Sequence, residues 1–303
     1  MTNKIAYAYI ETSSYCNLEC SFCNRDEVVA QSTNMTVENY KVILSKLKNH
    51  PIREIKLMGM GEPFMHPKFH EICKLTRETF PKAFIISSTN CQYTLSGNLK
   101  KSLEFIDMLY LSIDGYKANY EKFRKPAKWT KLLKFLKDLK EINRFNCRLA
   151  INYTVNPENV YDIPRVNDLI EKFDLHELRL NIVQNWSEEQ SASNIISGFS
   201  GEQVQYLRNN YQDKIKGKFG WNFNDCFWVK NGVYITSTGD IKICCMNTSS
   251  KSFGNILLDP SIQMSRSNKR FVEIKNGCES NSPVEHCKNC SYMELNGILK
   301  ELL

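Results

Sequence analysis

The sequence predicts an α/β fold: a partial (β/α)6 barrel of the TIM type, followed by a small C-terminal unit. Three observations lead there. Strand-like runs alternate with helical patterns through the first 185 of 303 residues, this alternation stops after Asn185, and six of the twelve cysteines lie beyond residue 225.

The strand candidates are 6–12, 54–58, 83–89, 108–113, 148–155 and 178–183, apolar runs rich in β-branched and aromatic residues. Helical patterns lie between them. Thr36 reads as the N-cap of a helix over 37–49, and a second helix spans 67–79. Leu132, Leu133, Phe135, Leu136, Leu139 and Ile142 recur at helical spacing before the fifth strand. Residues 1–185 are expected to form the barrel. Residues 186–225 are expected to be a connection, polar and partly helical over 187–220. Residues 226–303 would form the C-terminal unit, with a hairpin of 233–236 and 241–243 around Ser237-Thr238-Gly239-Asp240. A helix over 268–275 and a cysteine-rich end follow.

Composition narrows the function classes. With 42% hydrophobic and 24% charged residues, no apolar run is long enough to span a membrane. The first ten residues carry one lysine, and their apolar stretch ends at Glu11, unlike a signal peptide. A cytoplasmic location is expected, without membrane or nucleic-acid partners. In a reducing compartment twelve cysteines point to metal or redox chemistry rather than disulfides. The net charge of +7 is compatible with an anionic substrate, but the lysines of 131–140 read as a solvated helix face.

Cys16-Asn-Leu-Glu-Cys20-Ser-Phe-Cys23 follows the first strand, at the end of the barrel where such folds carry chemistry. Three thiolates in eight residues can take three corners of a cubane cluster and leave the fourth iron open to a chelating ligand. The bland alternative is three buried structural thiols.

The Cys-x3-Cys-x2-Cys spacing, with Phe22 before the last cysteine, resembles the radical S-adenosylmethionine (SAM) superfamily. Met60-Gly61-Glu62-Pro63 is similar to the family's Gly-Gly-Glu-Pro motif for the methionine amino group, with Met60 replacing the first glycine while Gly59 and Gly61 permit close approach. Ser88-Thr89-Asn90 resembles Thr-Asn-Gly, with Cys91 in place of the glycine. Ser112 and Asp114 fall in a stretch similar to the ribose-contacting one, and Arg124 stands where the family has an arginine for the methionine carboxylate. Independently of any family, alternation in the last two strands turns Leu149, Ile151, Tyr153, Val155, Leu178, Leu180 and Ile182 outward. It leaves Arg148, Ala150, Asn152, Thr154, Arg179 and Asn181 in the lumen. Asn152 and Thr154 are therefore candidate cofactor contacts, or else lumen residues that satisfy one another.

Cys226, Gly239, Cys244, Cys287 and Cys290 resemble the SPASM/twitch extension of radical enzymes, which implies an auxiliary [4Fe–4S] cluster on the four cysteines. With no cysteine after Cys290, the shorter twitch form with one cluster is expected. Cys245 competes with Cys244, a tetrahedral zinc is the alternative for the set, and Cys278, Cys73, Cys91 and Cys147 read as core thiols. The resemblance implies reductive cleavage of SAM to a 5′-deoxyadenosyl radical, fed by a flavodoxin- or ferredoxin-type donor. It also implies hydrogen abstraction and two-electron oxidation of a small polar molecule such as an amino sugar or cyclitol. The alternatives are a maturase that cross-links or epimerises a ribosomally made peptide, and a non-catalytic zinc and iron–sulfur scaffold.

Overall fold

Six strands, β1 (Tyr7–Ile10), β2 (Glu54–Leu57), β3 (Phe84–Thr89), β4 (Met108–Ser112), β5 (Arg148–Val155) and β6 (Glu177–Ile182), pair in sequence order, all parallel. Parallel neighbours need crossover connections, and helices supply them. The main ones are α1 (Val37–Leu47), α2 (Phe69–Thr79), α3 (Gly97–Ser102), α4 (Ala118–Phe123), α5 (Trp129–Ile142) and α6 (Ile163–Phe173). The computed structural model describes residues 4–95, 97–142, 146–182, 198–215, 223–245, 251–284, 287, 288 and 290.

Alternation sets the faces as expected. In β5 the side chains of Leu149, Ile151, Tyr153 and Val155 are buried toward the helices, while Asn152 and Thr154 are half-buried on the other face. Leu178, Leu180 and Ile182 of β6 follow the same rule, with Arg179 and Asn181 half-buried. Helix α1 begins at Thr36, whose Oγ1 accepts from Asn39 N at 3.1 Å, and buries Tyr40, Ile43, Leu44 and Leu47 against the sheet. Each such side chain contributes roughly 1.5–3 kcal/mol on burial. On α5 the lysines at 131, 134, 137 and 140 are all exposed, so they form a solvated face.

Several boundaries differ from the sequence reading. The first strand stops at Ile10 rather than Thr12, because Ser13 leaves the sheet to bridge Asn34. Helix α2 starts at Phe69, and α1 ends at Leu47. In the polar connection α7 (Gly201–Tyr211) starts with a capping box of Ser200 and Gln203. The remainder of 187–220 lies outside the described residues except 198–200 and 212–215, and so does Val183.

The C-terminal segment does not stand apart from the sheet. After α8 (Phe227–Asn231), β7 (Gly232–Ile235) adds parallel to the free edge of β1, and β8 (Ile241–Lys242) turns back antiparallel on it. The sheet thus reads β8-β7-β1-β2-β3-β4-β5-β6. Helices α9 (Ile262–Ser267) and α10 (Lys269–Glu279) follow, the latter extending past the expected end at Lys275. Arg266 of α9 is 3% exposed, and its guanidinium donates to the carbonyls of Val229 (2.9 Å), Lys230 (2.7 Å) and Gly232 (2.8 Å) at the end of α8. One cation thereby satisfies three carbonyls that the helix end leaves unpaired. Arg266→Ala strands them, and urea denaturation of the apoprotein should show a loss of about 2–4 kcal/mol.

Candidate active site at the barrel mouth

The cysteine loop has almost no regular structure, so its shape comes from what is bonded to it. Glu62 N donates to Tyr15 O at 2.7 Å, and Ser21 N donates to Phe123 O at 2.9 Å. Glu19 and Cys20 pair antiparallel with Lys125 and Arg124. Gly61 lies flat against the loop: a Cβ there would sit 2.4 Å from Ser13 O and 2.6 Å from Tyr15 O. That is the physical reason for glycine at this position. Asn90 completes the cradle, its Nδ2 donating to Asn17 Oδ1 at 2.7 Å and to Cys16 Sγ at 3.8 Å. Cys16 and Cys20 are half-buried. Burial pushes both thiols up, Cys20 to about 11 against the opposing pull of Arg124. Metal binding must displace those protons.

Glu62 is 3% exposed, and its carboxylate accepts from Phe64 N (3.2 Å) and Asn90 N (2.6 Å). Burial raises its pKa to about 7, with those two N–H groups opposing the rise. On the other side of the loop Arg124 forms a buried ion pair with Asp114, whose Oδ1 also accepts from Thr154 N at 2.5 Å. Burial alone would lower the guanidinium pKa, but the Asp114 charge holds it well above the ordinary value. Arg124 lies 6.0 Å from the Phe22 ring, and its buried Nε has no hydrogen-bond partner. A buried charged donor left unpaired is costly, so this atom suits an anionic ligand.

Of the residues expected at the site, Phe22, Gly61, Glu62, Pro63, Asn90, Asp114 and Arg124 meet around the three cysteines. Met60 enters through its backbone N, bonded to Glu11 Oε2 at 2.6 Å, and Thr154 through its own N. Gly59 packs on the Glu11 side chain, 2.4 Å from where a Cβ would sit. Asn152 accepts from Asn181 Nδ2 at 2.8 Å, so part of the lumen is self-satisfied; Ser88 and Ser112 are half-buried. Lower in the lumen, Lys56 lies over Tyr9 (4.6 Å) beside Glu54, and Arg179 over Tyr110 (4.9 Å) beside Glu177. Cys91 is fully buried in the core, with φ +60 where the resembling motif has glycine. The sequence reading missed Glu11 and Asn17, whose Nδ2 also donates to Gln92 O at 2.9 Å. A charged residue ending an apolar strand and an amide inside the cysteine loop were the only signals.

The C-terminal thiols also converge. Cys226, Cys244, Cys278 and Cys287 pack together with Val229, Ile243, Phe253, Phe271 and Ile274, and Cys278 shares a hydrogen bond with Cys287. Cys278, set aside in the sequence reading, is therefore a neighbour of the group. Cys290 lies close enough to Cys226 and Cys287 to perturb both thiols, and Cys245 faces Lys56 and Tyr9 as well as Cys290. Among the described residues no three such donors converge tightly enough for a single metal ion. A cubane spreads its ligands wider than one zinc does.

The sequence profile of the Radical SAM superfamily matches residues 10–170, and that of an iron–sulfur cluster-binding domain, SPASM, matches 226–291. The chain belongs to the radical SAM superfamily. As a radical SAM protein with a SPASM domain it uses SAM, a SAM-binding [4Fe–4S] cluster and auxiliary iron–sulfur chemistry. It is 31% identical over 111 residues to the tungsten-containing aldehyde ferredoxin oxidoreductase cofactor-modifying protein of Pyrococcus furiosus, covering 36% of this chain and 30% of that protein. It is 28% identical over 162 residues to the Fe-coproporphyrin III synthase of Methanosarcina barkeri, covering 52% and 39%. The chain thus matches well under half the length of these relatives. The fold is similar to that of Streptococcus suis SuiB bound to SAM (TM-score 0.69, 14% identity, 90% of this chain and 68% of that one). It is also similar to anSMEcpe with SAM and a peptide bound (0.65, 16%, 96% and 87%), and to BtrN with SAM and 2-DOIA (0.55, 14%, 96% and 93%).

The contact of Gly61 with the loop backbone gives a direct test. Gly61→Ala should fold but lose the first cluster, and reconstituted protein should fall from about eight to about four irons per chain by iron assay.

Proposed function

We propose that this radical SAM protein holds the SAM-cleaving cluster on Cys16, Cys20 and Cys23 and oxidises a small polar substrate, such as an amino sugar or cyclitol, by two electrons. The observation that carries the site assignment is Arg124: beside the triad, buried, tied to Asp114, and with an unpartnered Nε. That donor suits the carboxylate of the methionine moiety. Asp114 keeps the guanidinium from swinging away, and Thr154 N keeps Asp114 in place. Across the loop, burial raises the Glu62 carboxyl toward neutrality, and an ammonium group set against the Met60–Pro63 turn would oppose that rise by pairing with the ionised carboxylate.

When bound, the cluster and SAM supply one electron and a 5′-deoxyadenosyl radical that abstracts hydrogen from an unactivated carbon. The chain orients the substrate and keeps water away. Asn152, Asn181, Lys56 and Arg179 offer polar groups along the lumen wall, and Tyr9 and Tyr110 flank the two cations. Cys226, Cys244, Cys287 and Cys290 are the proposed auxiliary ligands, supported by the packing of the first three and the proximity of the fourth. Held by all four of these thiols, an auxiliary cluster would leave no iron open to substrate and would supply an electron acceptor for the oxidation. A flavodoxin- or ferredoxin-type protein would supply the first electron.

A ribosomally made peptide is the second reading of the substrate, favoured by the greater fold similarity to SuiB and anSMEcpe, both of which have structures with peptides bound, than to BtrN. Product mass after anaerobic turnover with each substrate class separates the two.

Anaerobically reconstituted protein should carry about eight irons per chain from two [4Fe–4S] clusters. Cys20→Ala should abolish 5′-deoxyadenosine release, while Cys287→Ala retains some uncoupled cleavage. Equal cleavage by wild type and Cys20→Ala would defeat the assignment, and four irons with one zinc would make the auxiliary site structural.

The product should be two hydrogens lighter than the substrate. Because Cys91 is fully buried among core residues, Cys91→Ser should retain turnover. A product of unchanged mass carrying one solvent deuterium, lost in Cys91→Ser, would instead indicate epimerisation through that thiol.

A further inference from the structure

Glu11, the residue after β1, is 3% exposed, and its carboxylate is shared between two distant parts of the chain. Oε2 accepts from Met60 N at 2.6 Å and from the Tyr234 hydroxyl at 3.2 Å, and Oε1 accepts from Ser237 N at 3.2 Å. Met60 opens the turn that precedes Glu62. Tyr234 lies on β7 and Ser237 in the hairpin turn after it, both inside the SPASM match. The backbone reinforces the junction, with Glu11 N donating to Ile235 O at 2.8 Å. On the opposite side Gly59 has no side chain, and the space where its Cβ would lie is taken by Glu11 Cγ and Oε2, each 2.4 Å away.

We propose that Glu11 is a positioning residue through which the C-terminal hairpin sets the SAM-binding turn. The inference rests on the reading of Met60–Pro63 as a SAM contact. A buried carboxylate is expensive unless its lone pairs are filled. Here the three donors come from β7, the hairpin turn and the Met60 turn, so none can shift without stranding charge. The amide N–H of Met60 is held on Glu11, which aims the following peptide groups at the cysteine loop on which Gly61 rests. No residue of the hairpin is within the 10–170 match of the superfamily profile, yet a hydroxyl at Tyr234 would contribute to holding a ligand of the first cluster.

Glu11→Gln tests this because the amide has one accepting oxygen. Its NH2 must face either Met60 N–H or Ser237 N–H, donor against donor. Equilibrium dialysis of SAM against the reconstituted, unreduced holoenzyme reads affinity without turnover. For Glu11→Gln the Kd should rise about tenfold, the cost of about one hydrogen bond to a charged acceptor. For Tyr234→Phe, which keeps the ring packing, a rise of about threefold is expected. Iron content should stay at the wild-type value in both, and in the cleavage assay KM for SAM should rise while kcat changes less than about twofold. A solely structural Glu11 would lower iron content or melting temperature and leave Kd unchanged in every variant that folds. Should Glu11→Gln fail to fold, Tyr234→Phe decides: an unchanged Kd overturns the proposal. Wild-type protein that binds no SAM would overturn the functional reading itself, a separate result.

Discussion

Holding three thiols in one orientation on a loop with no hydrogen-bond ladder of its own is the constraint on which the rest of the structure depends. The loop solves it by borrowing order from neighbours. Tyr15 O is held by Glu62 N, Ser21 N by Phe123 O, and Cys20 pairs with Arg124. Glu62 lies a few residues beyond the end of β2, whereas Phe123 and Arg124 close helix α4 after β4, so both the sheet and a helix end shape the loop. Parallel sheets bring many strand ends to one face, and this chain uses the ends of β1, β2, β3 and β4 around a single segment. Shifting any of these strands by one residue would turn its site residues to the wrong face.

Charge is handled by the same economy. Arg124, Asp114 and Glu62 are all buried, and burying charges is unfavourable unless each is paired or hydrogen-bonded. Asp114 answers Arg124, and Thr154 N answers Asp114. Glu62 is met by the N–H groups of Phe64 and Asn90 and by the Thr89 side chain, but burial outweighs them and raises its pKa. The orphan Nε of Arg124 and the buried carboxylate of Glu62 flank the same loop. Both become easier to accommodate with a zwitterionic ligand between them.

Much of the barrel was legible because its signals are local. Two-residue alternation in 148–155 separates helix-facing Tyr153 from lumen-facing Asn152, and Thr36 announces α1 by its own side chain. The spacing of Cys16, Cys20 and Cys23 is a local signal of the same kind. What stayed hidden is what depends on contacts distant in sequence. Nothing in Gly232–Ile235 says that this strand pairs with β1 rather than only with its hairpin partner, since both uses demand the same apolar run. Glu11 looked like the mere end of a strand because its donors lie at Met60, Tyr234 and Ser237. Cys278 looked spare for the same reason: a helix folding back, not a spacing rule, carries it to Cys287.

The addition of β7 to β1 has a consequence for how the chain is made. An open parallel sheet has two bare edges, each a template for unwanted pairing. The β6 edge is met at Leu180 by Ile215, soon after it emerges from the ribosome. The β1 edge is made before the other strands of this sheet, yet its partner does not arrive until Gly232. Until the chain reaches Gly232, therefore, the nascent barrel exposes the unpaired backbone of Tyr7–Ile10. Any polypeptide terminated before the hairpin keeps that edge bare permanently, which makes truncated forms prone to aggregate even though all six barrel strands are present.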